Sequence, residues 1–254
     1  MIVDQTSKDP VAVVSLAKTL TGAGYAVEFR AVAVSAAVSE QRIHMRYESQ
    51  KAAAGSGRFS TKDNHDQAYA ALPASVAALE AAPHVRAVSL YDQSHKVVYA
   101  NIRLDDTWAL PPRAAEAMIE GRNRPPTLAE RRELSDGYKK VQELMARPER
   151  RAAPEERRVV DELATVAKRE LVAETFRQVA PAQAAEEFPE LVPAYATMAA
   201  IKAQLDTTNL RDAEKATVMS RVRSTAADRI AKGEVPSVEL KEARIQERGS
   251  DRER

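Results

Sequence analysis

The chain has 254 residues, of which 44% are hydrophobic and 30% are charged, a balance typical of one large or two ordinary globular domains. Its 38 Lys and Arg residues against 37 Asp and Glu residues leave a net charge of +1, so no overall field favours nucleic acid or an anionic membrane surface. There is no cysteine, and the four histidines show no metal-ligand spacing, which excludes disulfide-stabilised folds, cysteine nucleophiles and zinc enzymes.

The N-terminus and the hydropathy of the chain indicate a cytoplasmic protein without a membrane anchor. Residues 1–5 lack the basic and apolar regions of a secretory signal. No window approaches the roughly 18 uncharged apolar residues that a spanning helix needs. Only 5% of the residues are aromatic and alanine is abundant, so we expect helix to dominate.

Residues 1 to about 108 alternate strand-like and helix-like patterns, which predicts an α/β fold. Ile2 and Val3 are the end of a short apolar strand in this interpretation. A helix follows over 10–22, opened by a proline and ended by glycines. The β-rich stretch 26–34 then predicts a strand covered on both faces, reached from the first strand by a parallel crossover.

Two further helices and a hairpin complete this segment. Ser35 is the expected N-cap of a helix that stops at the glycine loop 55–57. Asn64 or Asp63 is expected to cap the next helix. That helix should run from His65 to about Ala82 with a kink or break at Pro73, and the strands 85–91 and 96–100 should then form the hairpin that closes a partial parallel sheet.

From Trp108 onward the sequence is predicted to be all helical. Thr127 and Glu130 match a capping box, Gly233 matches a helix end, and Pro189 and Pro193 should interrupt a helix. The expected helices span about 113–120, 127–146, 155–179, 182–206 and 209–232. The sequence thus predicts that the whole chain divides into four segments: an α/β segment over 1–108, a Pro-rich linker over 109–126, a helical bundle module over 127–236, and a flexible charged tail over 237–254.

Phosphate binding is the first chemistry to consider in an α/β segment, but the usual phosphate loop is absent. No glycine of the chain introduces a Gly-Lys-Ser or Gly-Lys-Thr sequence. Arg46, in a predicted helix, and Arg58, in the glycine loop, are the best remaining candidates, because guanidinium groups bind phosphate oxygens through two donors. The alternative is that Arg46 pairs with Glu48 or Glu40 on a solvated helix face and that Arg58 caps a surface loop.

Other polar residues occupy positions where ligands or caps are expected. Asp4 and Thr6 follow the first predicted strand, at the edge where open α/β sheets place their ligands, although an Asx turn or a helix cap has the same pattern. His65 and Asp66 begin a predicted helix and are either a ligand pair or a cap with a carboxylate that complements the helix dipole.

An ordered set of short motifs runs through the first hundred residues. Its members are Val3 to Thr6, Gly22 to Val27, Ala33 to Ser35 with the following Arg46, Tyr47 and Glu48, Gly57 to Phe59, His65 to Tyr69, Val88 to Asp92, and Val98 to Asn101. In order and spacing, these motifs resemble the zeta-toxin family over residues 1 to about 102.

The resemblance implies a function and assigns roles to four residues. Zeta toxins are P-loop kinases of bacterial toxin–antitoxin systems that use ATP and Mg²⁺ to phosphorylate the 3′-hydroxyl of UDP-N-acetylglucosamine. By this resemblance Arg46 and Arg58 are catalytic residues that contact the ATP phosphates, as phosphoryl transfer requires. Asp4 and Thr6 would contact the nucleotide sugar, with Asp4 standing where the family has the longer glutamate.

The family's phosphate loop and general base lie N-terminal to the matched segment. We therefore expect a truncated kinase, inactive alone, whose sheet lacks its central strand and exposes edge hydrogen bonds. An upstream polypeptide that supplies the phosphate loop, or an antitoxin, is the expected partner.

The helical half has a weaker resemblance of its own. Phe188 to Tyr195 and Arg229 to Pro236 are similar to helical regions of proteobacterial zeta-toxin-like and conjugative-relaxase proteins, some of which serve type IV secretion. The alternative hypothesis is accordingly a non-catalytic interaction or delivery protein linked to plasmid transfer, in which the α/β half is a relic. Ordinary ion pairing on helix surfaces also explains the alternating Arg and Glu residues of this half, without such a role.

Overall fold

The computed structural model describes residues 1–234, which form two compact units. The first unit comprises Met1–Ala164, and the second begins at Thr165. The predicted charged tail over 237–254 and the last residues of the predicted helical module lie outside the described residues.

The first unit contains four strands, five complete helices and the start of a sixth helix. In chain order they are α1 (Pro10–Gly22), β1 (Val27–Val32), α2 (Ala36–Ala54), α3 (Lys62–Ala81), β2 (Val85–Tyr91), β3 (Val97–Leu104), β4 (Thr107–Trp108), α4 (Ala114–Asn123), α5 (Leu128–Met145) and α6 (Pro154–Gln178), which continues into the second unit.

The four strands form one mixed sheet in the order β1-β2-β3-β4. Strand β1 runs parallel to β2, with Phe29 opposite Val88, while β2 and β3 are antiparallel. The predicted hairpin is thereby confirmed. The predicted crossover from residues 2–3 to β1 does not form, and the parallel connection is instead made by α2 and α3 between β1 and β2. Within residues 1–234, β1 pairs only with β2 and is an edge strand.

The predicted strand at Ile2 and Val3 is wrong. Residues 1–9 form no strand or helix, and Ile2 is 97% exposed. The short apolar run that ends at Asp4 buries too little surface to hold an extended segment without a hydrogen-bonded partner strand.

Capping residues explain where the helices of the first unit begin. Asp9 caps α1 by accepting from the amides of Val11 and Ala12, and Ser35 caps α2 as predicted. The predicted cap of α3 is wrong, because Thr61 accepts from the amide of Asn64 and the helix starts at Lys62.

Pro73 lies inside α3, which continues through it to Ala81. A proline has no N–H group for the carbonyl four residues earlier, which here belongs to Tyr69. The guanidinium of Arg122 on α4 donates to that carbonyl at 2.7 Å instead. This substitute donor explains why the predicted break does not occur.

The core of the first unit lies between the sheet and the helices α1, α3 and α4. Val76 of α3, Val88 and Leu90 of β2, and Met118 of α4 are fully buried there. Helix α4 falls in the stretch predicted as a Pro-rich linker, yet Ala114 and Met118 are part of this core. Helix α5 packs against α2, so the first unit extends well beyond Trp108.

A buried carboxylate attaches α4 to the α/β part. Glu80, at the end of α3, accepts from the hydroxyl of Tyr99 at 2.5 Å and from the amide of Ala114 at 2.8 Å. Asn101 donates to the same carboxylate at 3.3 Å. Because Ala114 is the first residue of α4, this network fixes the start of that helix.

The second unit is helical, as predicted. Besides the end of α6 it contains α7 (Pro181–Glu187), a 3₁₀ turn (Pro189–Leu191), α8 (Val192–Asp206) and α9 (Asp212–Ala231), so the predicted interruption of the fourth helix is confirmed. The rings of Phe176 and Tyr195 pack 4.7 Å apart in its core. Across residues 1–234, no helix combines the length and the low charge that membrane crossing requires.

Candidate functional site

A cavity of about 580 Å³ lies in the first unit, beside the edge strand β1. Its walls are formed by the N-terminal segment 4–7, the end of β1, the helices α2 and α3, the loop 58–60 and Arg122 of α4. The charged lining that residues 1–234 provide is strongly cationic: Asp4 is its one carboxylate, against the five arginines Arg30, Arg42, Arg46, Arg58 and Arg122. Such a wall suits an anionic ligand.

The four residues singled out from the sequence all line this cavity. Asp4 and Thr6 lie on the N-terminal segment, Arg46 on α2, and Arg58 on the loop between α2 and α3. The segment is held beside α3 because the ammonium group of Lys8 donates to the side chain of Asn64 at 3.1 Å. The structure thus brings the four residues together, while their roles stay predictions.

The guanidinium of Arg46 is not paired with Glu48, the partner considered in the alternative interpretation. Glu48 is only 3% exposed and accepts from Nε and Nη2 of Arg150, at 2.6 and 3.0 Å. This ion pair raises the pKa of Arg150. Within residues 1–234 the side chain of Arg46 has no ion pair with Glu48, with Glu40 or with any other carboxylate.

The loop that carries Arg58 is attached to α2. Gln50 accepts from the backbone amide of Arg58 at 2.8 Å, and the ring of Phe59 packs 5.0 Å from that of Tyr47. A Cβ atom on Gly57 would lie 2.6 Å from the carbonyl oxygen of Tyr47, so only glycine permits this approach. The guanidinium of Arg58 has no hydrogen bond within residues 1–234, so both candidate arginines present free donors.

His65 and Asp66 join α3 to α2 rather than cap a helix. The imidazole of His65 is within 2.9 Å of the hydroxyl of Ser39 and within 3.0 Å of the carboxylate of Asp66. Lys62 also contacts Asp66, at 2.5 Å, and this contact lowers the pKa of the Asp66 carboxyl. His65 is buried with both ring nitrogens bonded, and it holds the first turns of the two helices together.

Sequence reasoning missed three of the five cavity arginines. Arg42 lies one helical turn before Arg46, a spacing that could have indicated it, and it donates to the carbonyl of Gln93 at 2.8 Å. Arg30 follows the alternation of β1 and pairs with Glu28 at 3.0 Å. Arg122 lies far along the chain, and no local pattern links it to the site.

The lining fits phosphate groups better than it fits a resident metal ion. Guanidinium groups are planar donors that match phosphate oxygens. Within residues 1–234, no group of three or more His, Asp or Glu side chains is placed to hold a metal ion. The cavity residues described in the structure therefore do not fit a protein-bound Mg²⁺ ion.

Comparison with known proteins agrees with the resemblance seen in the motifs. The zeta toxin family model matches residues 1–104. No curated protein matches the chain. A solved structure from the PezAT chromosomal toxin–antitoxin system of the human pathogen Streptococcus pneumoniae aligns at 20% identity with a TM-score of 0.44, over 56% of this chain and 54% of that chain. The chain thus spans about half the length of that structure. The match with the zeta toxin family thus covers residues 1–104, the family segment, which is less than half of the chain.

Proposed function

We propose that the cavity binds the phosphates of ATP and of UDP-N-acetylglucosamine as part of a zeta-toxin kinase. One observation carries the proposal: Arg46 and Arg58, with no acceptor for either guanidinium in residues 1–234, line one cavity with Asp4 and Thr6. Free guanidinium groups stabilise the negative charge of a transferring phosphoryl group. Asp4 and Thr6 offer a carboxylate and a hydroxyl to the hydroxyl groups of the sugar.

The proposed kinase needs components that this cavity does not supply. The sequence contains no Gly-x-x-x-x-Gly-Lys-Ser or Gly-x-x-x-x-Gly-Lys-Thr motif, so we propose that an upstream polypeptide contributes the phosphate loop. An antitoxin is the proposed regulatory partner, and the cytoplasm the proposed location, since that is where the nucleotide substrates are found. No feature of residues 165–234 favours a delivery module for type IV secretion.

The test is equilibrium binding of each nucleotide to the purified chain by titration calorimetry. Arg46→Ala and Arg58→Ala should each weaken ATP binding about tenfold or more, since each removes a charge-assisted hydrogen bond. Asp4→Asn and Thr6→Val should weaken the binding of UDP-N-acetylglucosamine and leave ATP binding unchanged. The matched control is Arg158→Ala, which removes an exposed arginine paired with Glu162 on α6.

Wild-type affinity for ATP in both Arg46→Ala and Arg58→Ala would contradict the proposal. A kinase assay with ATP and UDP-N-acetylglucosamine tests whether an upstream phosphate loop is needed. We expect no phosphorylated sugar from the purified chain. Turnover that Arg46→Ala abolishes would disprove the need for an upstream phosphate loop.

A further inference from the structure

Arg122 is a buried cation in the wall of the cavity, contributed by a part of the chain outside the family segment. It lies on α4, beyond residue 104, and is only 9% exposed. A buried arginine ordinarily has a carboxylate beside it. Within residues 1–234, Arg122 has no ion pair with any carboxylate.

Part of the guanidinium has a structural task. Its Nη1 donates to the Tyr69 carbonyl that Pro73 leaves without a partner, and its Cζ atom lies 3.8 Å from the centroid of the Tyr69 ring. This task occupies one nitrogen and one face of the group. It explains why an arginine is present here, but it leaves the other donors of the side chain unused.

The unused donors form the edge with which arginine binds oxyanions. Nε is buried and has no acceptor, and Nη2 donates no hydrogen bond within residues 1–234. Arg150 shows what this edge does elsewhere in the same unit: its Nε and Nη2 bind the two oxygens of Glu48 at 2.6 and 3.0 Å. Both arginines are buried, but only Arg150 has an oxyanion.

A bound anion would relieve an electrostatic cost in the free protein. Burial lowers the pKa of Arg122, because the charged form has lost water without gaining a counter-ion. Asp4, on the N-terminal segment, is the one carboxylate that residues 1–234 contribute to the cavity lining, and it makes no ion pair with Arg122. A ligand anion would supply the counter-charge that these residues do not provide.

We propose that the Nε–Nη2 edge of Arg122 binds a phosphate group of the ligand in this cavity, so that α4 is part of the binding site. The inference rests on the proposed function for the identity of that ligand, a nucleotide. It concerns a residue for which neither the family segment nor the motifs provide a role. Inorganic pyrophosphate tests the anion site separately from nucleotide recognition.

The experiment compares the full chain with Arg122→Lys by calorimetry, using ATP, UDP-N-acetylglucosamine and pyrophosphate in turn. Lysine keeps the positive charge and a donor for the Tyr69 carbonyl, but it lacks the two-donor edge. We expect affinity to fall about 10- to 100-fold for each ligand that binds the wild type. Arg158→Lys, at an exposed site, is the matched control and should bind as the wild type does.

A second pair of variants separates binding from folding. Pro73→Ala restores an N–H group that can donate to the Tyr69 carbonyl, so the further change Arg122→Met should no longer disturb α3. The double variant should unfold within a few degrees of Pro73→Ala alone, yet pyrophosphate should raise its melting temperature less than it raises that of Pro73→Ala. An equal rise in both proteins would overturn the inference.

The three ligands distinguish the failure of this inference from the failure of the proposed function. If ATP binding depends on Arg46 and is unchanged in Arg122→Lys, the inference is wrong and the function stands. If pyrophosphate binding depends on Arg122 and no nucleotide binds, the inference stands and the function is wrong. Absence of binding by all three ligands overturns both.

Discussion

Arg46 has no ion pair within residues 1–234, and Glu48, two positions further along α2, is bound to another arginine. Glu48 follows Arg46 by two residues, so the two side chains point to different sides of α2. Arg150 binds Glu48 from the opposite side, in a pair whose members are 8% and 3% exposed. A buried carboxylate with two hydrogen bonds to one guanidinium gains little from a second cation, and Arg46 remains in the cavity wall.

The capping box of α5 provides a pH-dependent test at a single side chain. Glu130 accepts from the amide of Thr127 at 2.8 Å and pairs with Arg124, which lowers the pKa of the Glu130 carboxyl to about 2. We expect Glu130→Gln to reduce the free energy of unfolding by about 1–2 kcal/mol at neutral pH. Urea denaturation measures the difference.

The pH dependence of that difference has a definite sign. A carboxyl whose folded-state pKa lies below its unfolded value of 4.5 contributes stability that is present above that pH and is lost as the pH falls towards about 2. Wild type and Glu130→Gln should therefore converge in acid. Glu143→Gln, an exposed change on the same helix, is the control, and a gap that stayed constant down to pH 2 would contradict the pairing.

The loop between α2 and α3 is positioned by one helix. Its glycines allow the chain to leave α2 at Gly55, which has a positive φ of 72°, and to return within reach of Tyr47 and Gln50. Arg46 lies on α2, and the loop that carries Arg58 is hydrogen-bonded to α2. The distance between the two arginines therefore depends on this turn. The spacing of the two candidate arginines is a property of the helix and loop together.

Gly57→Ala tests this arrangement. The added methyl group would lie 2.6 Å from the carbonyl oxygen of Tyr47, so the loop must move away from α2 and take Arg58 with it. We expect ATP binding to weaken about tenfold while the melting temperature falls by only a few degrees. Gly22→Ala, where a Cβ atom meets nothing within 4 Å, is the control for adding a methyl group. Unchanged ATP binding in Gly57→Ala would show that the loop does not position Arg58.

Among residues 1–234, all those that line the cavity belong to the first unit, between Asp4 and Arg122. Helices α4 and α5 of that unit come after the family segment, and α4 contributes Arg122 to the cavity wall. The second unit has its own core, with Phe176 and Tyr195 in contact and Arg177 paired with Asp228. Ligand binding and the stability of the second unit should therefore be separable.

Phe176→Ala measures this separation. Phe176 is fully buried in the second unit, and its truncation should cost that unit about 3–5 kcal/mol in unfolding free energy. ATP affinity should stay within about twofold of the wild type. Calorimetric unfolding and ATP titration of the same sample provide the two readings, and a tenfold loss of affinity would contradict the assignment of the site to the first unit alone.

Local patterns predicted most of the elements. Helix ends are marked by short-range hydrogen bonds and backbone preferences, which depend on residues a few positions apart. Examples are Asp9 with Pro10 in α1, Ser35 and Gly55 at the two ends of α2, and Thr127 with Glu130 in α5. The hairpin of β2 and β3 was predicted for the same reason. Distant residues decide what local patterns do not show: α3 continues through Pro73, where Arg122 supplies the donor.

The amino-acid order alone was enough to indicate the fold class, the helix caps and four residues that share a cavity, because each depends on nearby residues or on ordered family motifs. Only the folded chain shows that Glu48 belongs to Arg150, that residues 1–9 form no strand, and that Arg122 enters the cavity. The first and the third of these features depend on contacts between residues more than fifty positions apart. Packing and burial select such contacts, and no local pattern encodes them.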